Sequence, residues 1–194
     1  MGKKEKGAKM GKYILIETDN LFLRHFSADD AGKVLQMSRE EGLRLWIPDQ
    51  VYKDEAESAR VIKFLIEQYP GEPAPQRKPL VLGVELKQTG ELIGHVGLSP
   101  AENSVEIGYA IEGKLQGKGY ATEAVRAMSG WAVGELGLPV VLGIVAVKNT
   151  GSCRVLEKAG YILVEEKEKI MFGKCRLCKV YRYSLPGFGA VGRD

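Results

Sequence analysis

The chain has 194 residues, 44% of them hydrophobic and 27% charged, which is enough to close a core around one ordinary domain. Its net charge of +3 sits in the first twelve residues: without Lys3, Lys4, Lys6, Lys9, Lys12 and Glu5, the rest carries 23 basic and 24 acidic side chains. A Lys/Gly-rich leader (1–12) is expected to be flexible and solvated, so nucleic acid is not the expected partner. No stretch is apolar enough for a signal peptide or a bilayer span, and three cysteines make no disulfide framework; the expectation is a cytoplasmic chain with no membrane partner.

In chain order, residues 13–18 and 20–26 are β-prone and broken by Asp19-Asn20. Ser27-Ala28-Asp29-Asp30 reads as a helix start with acids in its first turn, opening a helix to about Met37–Arg39. Residues 40–52 read as loop. A second helix, roughly Asp54 to Tyr69, is expected to bury Val61, Ile62 and Leu65, with Phe64 beside them. Pro70, Pro73, Pro75 and Pro79 mark a surface loop inside the domain rather than a boundary. Leu80–Lys87, Glu91–Leu98 and Val105–Glu112 read as an antiparallel meander. Helix Tyr120–Glu135, the apolar strand Pro139–Val147, helix Thr150–Ala159 and a hairpin about Phe172-Gly173-Lys174 follow. The domain is expected to span 13–185, with a Gly-rich flexible tail over 186–194. The fold class is mixed α+β, and counting 13–26 as one strand gives seven strands and four helices.

Gln116-Gly117-Lys118-Gly119-Tyr120-Ala121 is the densest signal. It lies between a strand and a helix, so its backbone N–H groups and the helix start together suit a pyrophosphate. It is not a dinucleotide fingerprint, because the third glycine position is Thr122, and no Gly-Lys-Ser/Thr of a P-loop is present. Cys175 and Cys178 resemble half a zinc knuckle with no second pair, and no metal is expected.

These residues resemble the GNAT N-acetyltransferase superfamily, in particular its RimJ/RimL-like branch, over about Ile14 to Leu185. The loop matches that family's acetyl-CoA loop. Glu106-Ile107-Gly108-Tyr109-Ala110-Ile111 matches the strand before it, and Thr122-Glu123-Ala124 the helix after it. Asn149-Thr150-Gly151-Ser152 with Leu156-Glu157-Lys158-Ala159-Gly160-Tyr161 matches the second half-motif, and Thr18-Asp19-Asn20-Leu21 with Leu23-Arg24 the branch's opening. The resemblance implies a seven-stranded, mostly antiparallel sheet splayed into a wedge for acetyl-CoA. Gln116, Gly117, Lys118, Gly119, Tyr120 and Ala121 would hold the pyrophosphate. The strand edge Tyr109, Ala110 and Ile111 would pair with pantetheine, and the Tyr109 N–H would face the thioester oxygen. An amine would attack directly. The acceptor implied is a protein N-terminus, with a small-molecule amine such as a polyamine as the alternative, and a non-catalytic acyl-CoA-binding module as a further one. The chain would act as a monomer or homodimer.

The proton acceptor has two candidates. Glu106 lies on the strand beside the thioester, although simple alternation puts it on the sheet face opposite Tyr109; its other reading is an ion-paired carboxylate. The resemblance implies that Ser152, with a hairpin glutamate, relays a proton through water. Counting back from Gly173 reaches Lys169, with Glu168 beside it. Ser152 also reads as first-turn helix chemistry, and Asn149 as either pantetheine contact or N-cap. Leu156 occupies the position where other branches carry a tyrosine acid. His95 reads as a packed strand residue, His25 has no evident partner, and Trp46, Tyr52 and Tyr109 are candidate acceptor-groove aromatics. Arg154 reads as either a CoA-phosphate contact or a solvent-facing cation. The acids of residues 40–60, which would suit a polyamine, are offset by Arg39, Arg44, Lys53 and Arg60.

Overall fold

The computed structural model describes residues 13–101 and 104–184; the leader 1–12, Leu185 and the tail 186–194 lie outside that range. Eight strands form one sheet in the order β1-β2-β3-β4-β5-β6-β8-β7. They are β1 (Leu15–Glu17), β2 (Leu21–Arg24), β3 (Leu80–Leu86), β4 (Glu91–Ala101), β5 (Ser104–Ile111), β6 (Val141–Ala146), β7 (Ile162–Met171) and β8 (Lys174–Tyr183). The expected seven becomes eight because Asp19-Asn20 turns the chain back on itself. Leu15 then pairs with Arg24 and Glu17 with Phe22, so 13–26 is a hairpin and not one strand.

The described residues form five α-helices: α1 (Ala31–Ser38), α2 (Glu41–Trp46), α3 (Glu55–Gln68), α4 (Tyr120–Gly134) and α5 (Thr150–Ala159). The extra one, α2, falls where a loop was expected; it is six residues long, too short to show a helical period, and Pro48 starts a separate 3₁₀ turn just beyond it. Helix α1 begins after a 3₁₀ turn closed by a capping box, in which the Asp30 carboxylate accepts from the Ser27 N–H at 2.7 Å. Asp54 caps α3 by accepting from the Glu57 N–H at 2.9 Å. Ile62 on α3 is buried as expected, but Phe64 is half exposed.

Leu92 and Ile93, adjacent in β4, belong to different hydrophobic clusters, which marks two layers on opposite sheet faces. Ile93, Val96, Leu98, Val105 and Ile107 pack with Ala124, Val125 and Met128 of α4 and Leu156 of α5. Leu92 and Phe26 pack with Ala31 and Met37 of α1 and Ile62 of α3. The strands pair antiparallel throughout except β5 with β6, where a single register pair, Glu106 opposite Leu142, is held in parallel. Beyond it β5 stays with β4 while β6 continues with β8, Val145 opposite Lys179 and Ala146 opposite Cys178. The sheet therefore opens into a wedge at the C-terminal ends of β5 and β6.

Candidate active site

The wedge holds a cavity of about 1010 Å³ walled by β5, β6, the glycine loop, α2, the starts of α4 and α5, and the tip of the β7–β8 hairpin. Gly117 and Gly119 have φ of +77° and +92°, backbone that side-chained residues rarely adopt. A Cβ at either would touch nothing within 4 Å, so conformation rather than crowding demands glycine there. Gly119 is the N-cap of α4, and the first hydrogen bond back to it comes from the Glu123 N–H. The N–H groups of the first turn are therefore free to meet an anion. Lys118, Arg126, Arg154 and Lys158 bring positive charge to the same walls.

The loop is fixed from both ends. The Gln116 side chain donates to the Ile111 carbonyl at 3.0 Å, tying the loop to the strand edge. Glu123, in the first turn of α4, accepts from Thr18 Oγ1 at 2.6 Å, the Asn20 N–H at 2.8 Å and the Asn20 amide at 3.0 Å, which staples the β1–β2 turn to the helix. Burial would raise this carboxyl, but those hydrogen bonds outweigh it and hold it low.

Along β5, the Glu112 N–H donates to Ile93 of β4. Alternation then turns the N–H groups of Ala110 and Gly108 toward β4 and those of Ile111 and Tyr109 toward the open wedge. The side chains follow the same alternation. The Tyr109 ring goes to the α5 face, where its hydroxyl lies 2.6 Å from Ser152 Oγ and donates to the Ser152 carbonyl at 3.0 Å. Burial pushes the Tyr109 phenol well above its ordinary range. Asn149 caps α5 by accepting from the Ser152 N–H at 3.2 Å, so it is an N-cap and a cavity wall at once.

Glu106 goes to the opposite face, as alternation requires, yet it still borders the cavity, because a splayed sheet is open on both faces. Desolvation pushes its carboxyl up to about 7, against the opposing pull of the Lys169 charge. Gly42, Leu43, Trp46 and Ile47 of the α2 region, with Met171, Phe172 and Arg176 of the hairpin, close this side. The Arg176 guanidinium lies 5.9 Å from the centre of the Trp46 ring.

Every residue expected to bind cofactor borders the cavity: Tyr109, Ala110, Ile111, Gln116, Gly117, Lys118, Gly119, Tyr120, Ala121, Asn149 and Ser152. So do Glu106, Trp46 and Arg154. Glu168 does not: it is exposed on β7 opposite Leu177, outside the cavity walls, so it is not brought to Ser152. The charge of its neighbour Lys169 acts on Glu106 instead. Tyr52 is also outside the walls. His25 is packed, its ring stacked on Tyr69 at 3.8 Å and accepting from the Ile14 N–H. His95 lines a small separate space with Met37 and Leu43, and burial pushes it down to about 4. Among the described residues no three His, Cys, Asp or Glu side chains converge as metal ligands, and no helix is long and apolar enough to cross a membrane. Met171, Phe172 and Arg176 went unread in the sequence; the one available signal was a phenylalanine before glycine in a tight hairpin, where asparagine or glycine is the usual choice.

A sheet splayed between two parallel strands, with a glycine loop and helix start at its mouth, defines an acyl-group transferase of the acetyltransferase type. The Acetyltransferase (GNAT) domain family matches residues 20–162, and the chain belongs to that family as an N-acetyltransferase. It is 27% identical over 147 residues to the uncharacterized N-acetyltransferase YnaD of Bacillus subtilis, spanning 75% of this chain and 81% of that protein. A GNAT-family acetyltransferase from Bacillus anthracis shares the fold at a TM-score of 0.76 and 22% identity, over 88% of this chain and 98% of that one. RimL, the ribosomal L7/L12 α-N-protein acetyltransferase, in complex with coenzyme A, does so at 0.72 and 15% over the same shares. A Vibrio cholerae spermidine N-acetyltransferase chimera does so at 0.67 and 21%, over 84% of this chain and 95% of that one.

Proposed function

We propose that the chain transfers an acetyl group from acetyl-CoA directly to the α-amine of a protein N-terminus, as a RimJ/RimL-like enzyme. The observation that carries this reading is the meeting, in one cavity, of an anion-binding loop, an unpaired strand edge and the carboxyl of Glu106. The pyrophosphate would rest on the N–H groups of Gly117 to Ala121, with Lys118 and Arg154 beside it. The pantetheine amides would complete the β5 edge along Tyr109 to Ile111, taking the place that β6 vacates. The Tyr109 N–H, turned into the wedge, would meet the developing oxyanion.

The two sheet faces divide the proton work. Glu106 takes the proton from the ammonium: a carboxyl near 7 is matched to an α-amine with a pKa of about 8, so both partners are in usable form near neutral pH. The amine nitrogen then bonds to the thioester carbon, and the tetrahedral intermediate expels the CoA thiolate. The nitrogen sheds its second proton as the intermediate collapses, and the departing sulfur takes it up; the Ser152–Tyr109 hydroxyl pair, on the other face, would hydrogen-bond that sulfur, and because a thiol of pKa about 8.5 leaves readily, Leu156 in place of a tyrosine acid is tolerable. Ser152 thus serves the leaving group rather than a relay with Glu168.

The polyamine alternative rested on the acids of residues 40–60. Glu40 accepts from the Gly113 N–H, Glu57 from the Lys53 N–H and Asp54 from the Glu57 N–H, and none of the acids at 40–60 borders the cavity. The test is thiol release from acetyl-CoA with Ser- and Ala-initiated peptides, spermidine and an aminoglycoside, beside calorimetric CoA binding. Peptide turnover supports the reading. Turnover confined to spermidine or the aminoglycoside reassigns the acceptor, and CoA binding without turnover of any amine favours the non-catalytic module.

A further inference from the structure

The acceptor side of the cavity has a charge pattern that bears on which amine it takes; this inference rests on the reading of the wedge as an amine-acetylating site. Arg176 and Cys178, two residues apart on β8, share a sheet face, and Lys169 stands directly across from Arg176 on β7. The charge of Lys169 acts on Glu106, and Lys169, Arg176 and Glu106 all act on Cys178, which places the three charges on one patch of that face. Lys169 and Arg176, side by side across the hairpin, outnumber the one carboxyl, so the patch is net positive whether or not Glu106 is ionised. Among the described residues no carboxylate pairs with the Arg176 guanidinium, which borders the cavity against the Trp46 ring. The other two carboxylates in the walls, Asp19 and Glu123, belong to the glycine-loop end, where Glu123 is taken up by Thr18 and Asn20.

The hairpin tip points the same way. Met171 pairs with Lys174, leaving Phe172 and Gly173 as a two-residue turn with φ of +52° and +72°. Phe172 is the one side-chained residue among those described with positive φ, a conformation that asparagine takes more easily than phenylalanine. A bulky aromatic is held there against backbone preference, and Phe172, like Arg176, borders the cavity.

From this placement we infer that Arg176, braced on Trp46 and supported by Lys169, is the specificity residue of the acceptor site. It selects amines that carry a carboxylate or phosphate close to the reacting nitrogen, and it repels polycations. A planar guanidinium backed by an aromatic ring grips such a group through paired hydrogen bonds, which an ammonium does less well. Phe172 and Met171 cover the aliphatic part of the acceptor between the anion and the amine.

The test reads acceptor binding apart from turnover. Trp131→Phe leaves Trp46 as the one remaining tryptophan, and its emission is titrated in the complex with desulfo-CoA. The probes are the peptide amides Ser-Asp-Asp-Ala, Ser-Ala-Ala-Ala and Ser-Lys-Lys-Ala, O-phosphoethanolamine and spermidine. The expected result is at least tenfold tighter binding of the acidic peptide than of the neutral one, weaker binding still of the basic peptide and spermidine, and a gap that narrows with salt. Arg176→Ala removes the gap and Arg176→Lys keeps part of it. The peptide and O-phosphoethanolamine arms separate an acidic side chain from a small-molecule anion as the source. Equal binding of all probes, no measurable binding of any, tightest binding of spermidine, or an unchanged ranking in Arg176→Ala overturns the inference. In unmodified protein the same ranking should appear in kcat/KM, carried by KM. Acid selectivity in binding with no acetylation of any probe would remove the enzyme reading and leave Arg176's role standing.

Discussion

Replacing Glu106 with glutamine should move stability and activity in opposite directions, and the structure sets the size of both. Burial raises this carboxyl from 4.5 to about 7. Below about 4.5 it is protonated in both the folded and the unfolded chain, and the exchange for glutamine changes little. Between 4.5 and 7 the unfolded chain releases the proton while the folded one keeps it, so the wild type loses stability as pH rises, and above 7 the loss is complete. At about 1.4 kcal/mol per pH unit, that loss is at most about 3.5 kcal/mol; the nearby Lys169 charge, stranded in the variant, lowers the expected gain to roughly 1–3 kcal/mol. Glutamine cannot ionise and avoids the loss. Urea unfolding at pH 5 and pH 8 should show a small advantage for the variant at the lower pH and a larger one at the higher. For a chain of this size the difference corresponds to a melting temperature higher by about 2–4 °C per kcal/mol. Thiol release should fall by about 10² or more, and the acid limb near pH 7 in the wild-type kcat/KM profile should vanish. A variant no more stable at pH 8 than at pH 5, or one turning over within threefold of wild type, refutes the assignment of Glu106 as a buried base.

Other perturbations test other parts of the account. Gly119→Asp forces a side chain onto backbone at φ +92° and sets a negative charge at the start of α4, so calorimetric acetyl-CoA affinity should fall more than tenfold. Gly94→Ala places a Cβ 2.2 Å from the Ala110 carbonyl oxygen of β5; denaturant unfolding should show a loss of roughly 1–3 kcal/mol, with weaker CoA binding because that strand carries the wedge. Phe172→Asn relieves the turn, raising stability by roughly 0.5–1 kcal/mol while raising KM for the amine. Glu123→Gln exchanges a carboxylate held low for a neutral group. The stability Glu123 supplies is present above about 4.5 and is lost as pH falls through its lowered value, so wild type and variant melting curves should differ at pH 7 and converge in acid.

The glycine loop was legible because strand, short loop and helix each leave a local mark, and the loop's chemistry is that of its backbone. The meander and the α4 crossover were legible for the same reason. The split of 13–26 into a hairpin was not, since Asp19-Asn20 punctuates the chain without showing that Leu15 returns to Arg24. Helix α2 left no period in six residues, so the wall formed by Leu43, Trp46 and Ile47 was invisible except for its tryptophan. Alternation along β5 separated Glu106 from Tyr109 but also placed it away from the cofactor side, because it assumes a closed sheet. Where β5 and β6 part, both faces open on one cavity, and that parting is a property of the register at Glu106 and Leu142. Counting from Gly173 reaches Lys169, with Glu168 the carboxylate beside it; a strand shows one residue of each neighbouring pair to a given face, and here the one whose charge acts on Glu106 is Lys169.

The most direct test of the central claim is mass spectrometry of a Ser-initiated peptide incubated with the protein and acetyl-CoA, with free thiol measured in the same reaction. The account predicts one acetyl group on the α-amine for each thiol released, dependent on acetyl-CoA and lost in Glu106→Gln. Thiol released without any acetyl on the peptide, or acetylation that survives Glu106→Gln at the wild-type rate, would contradict it.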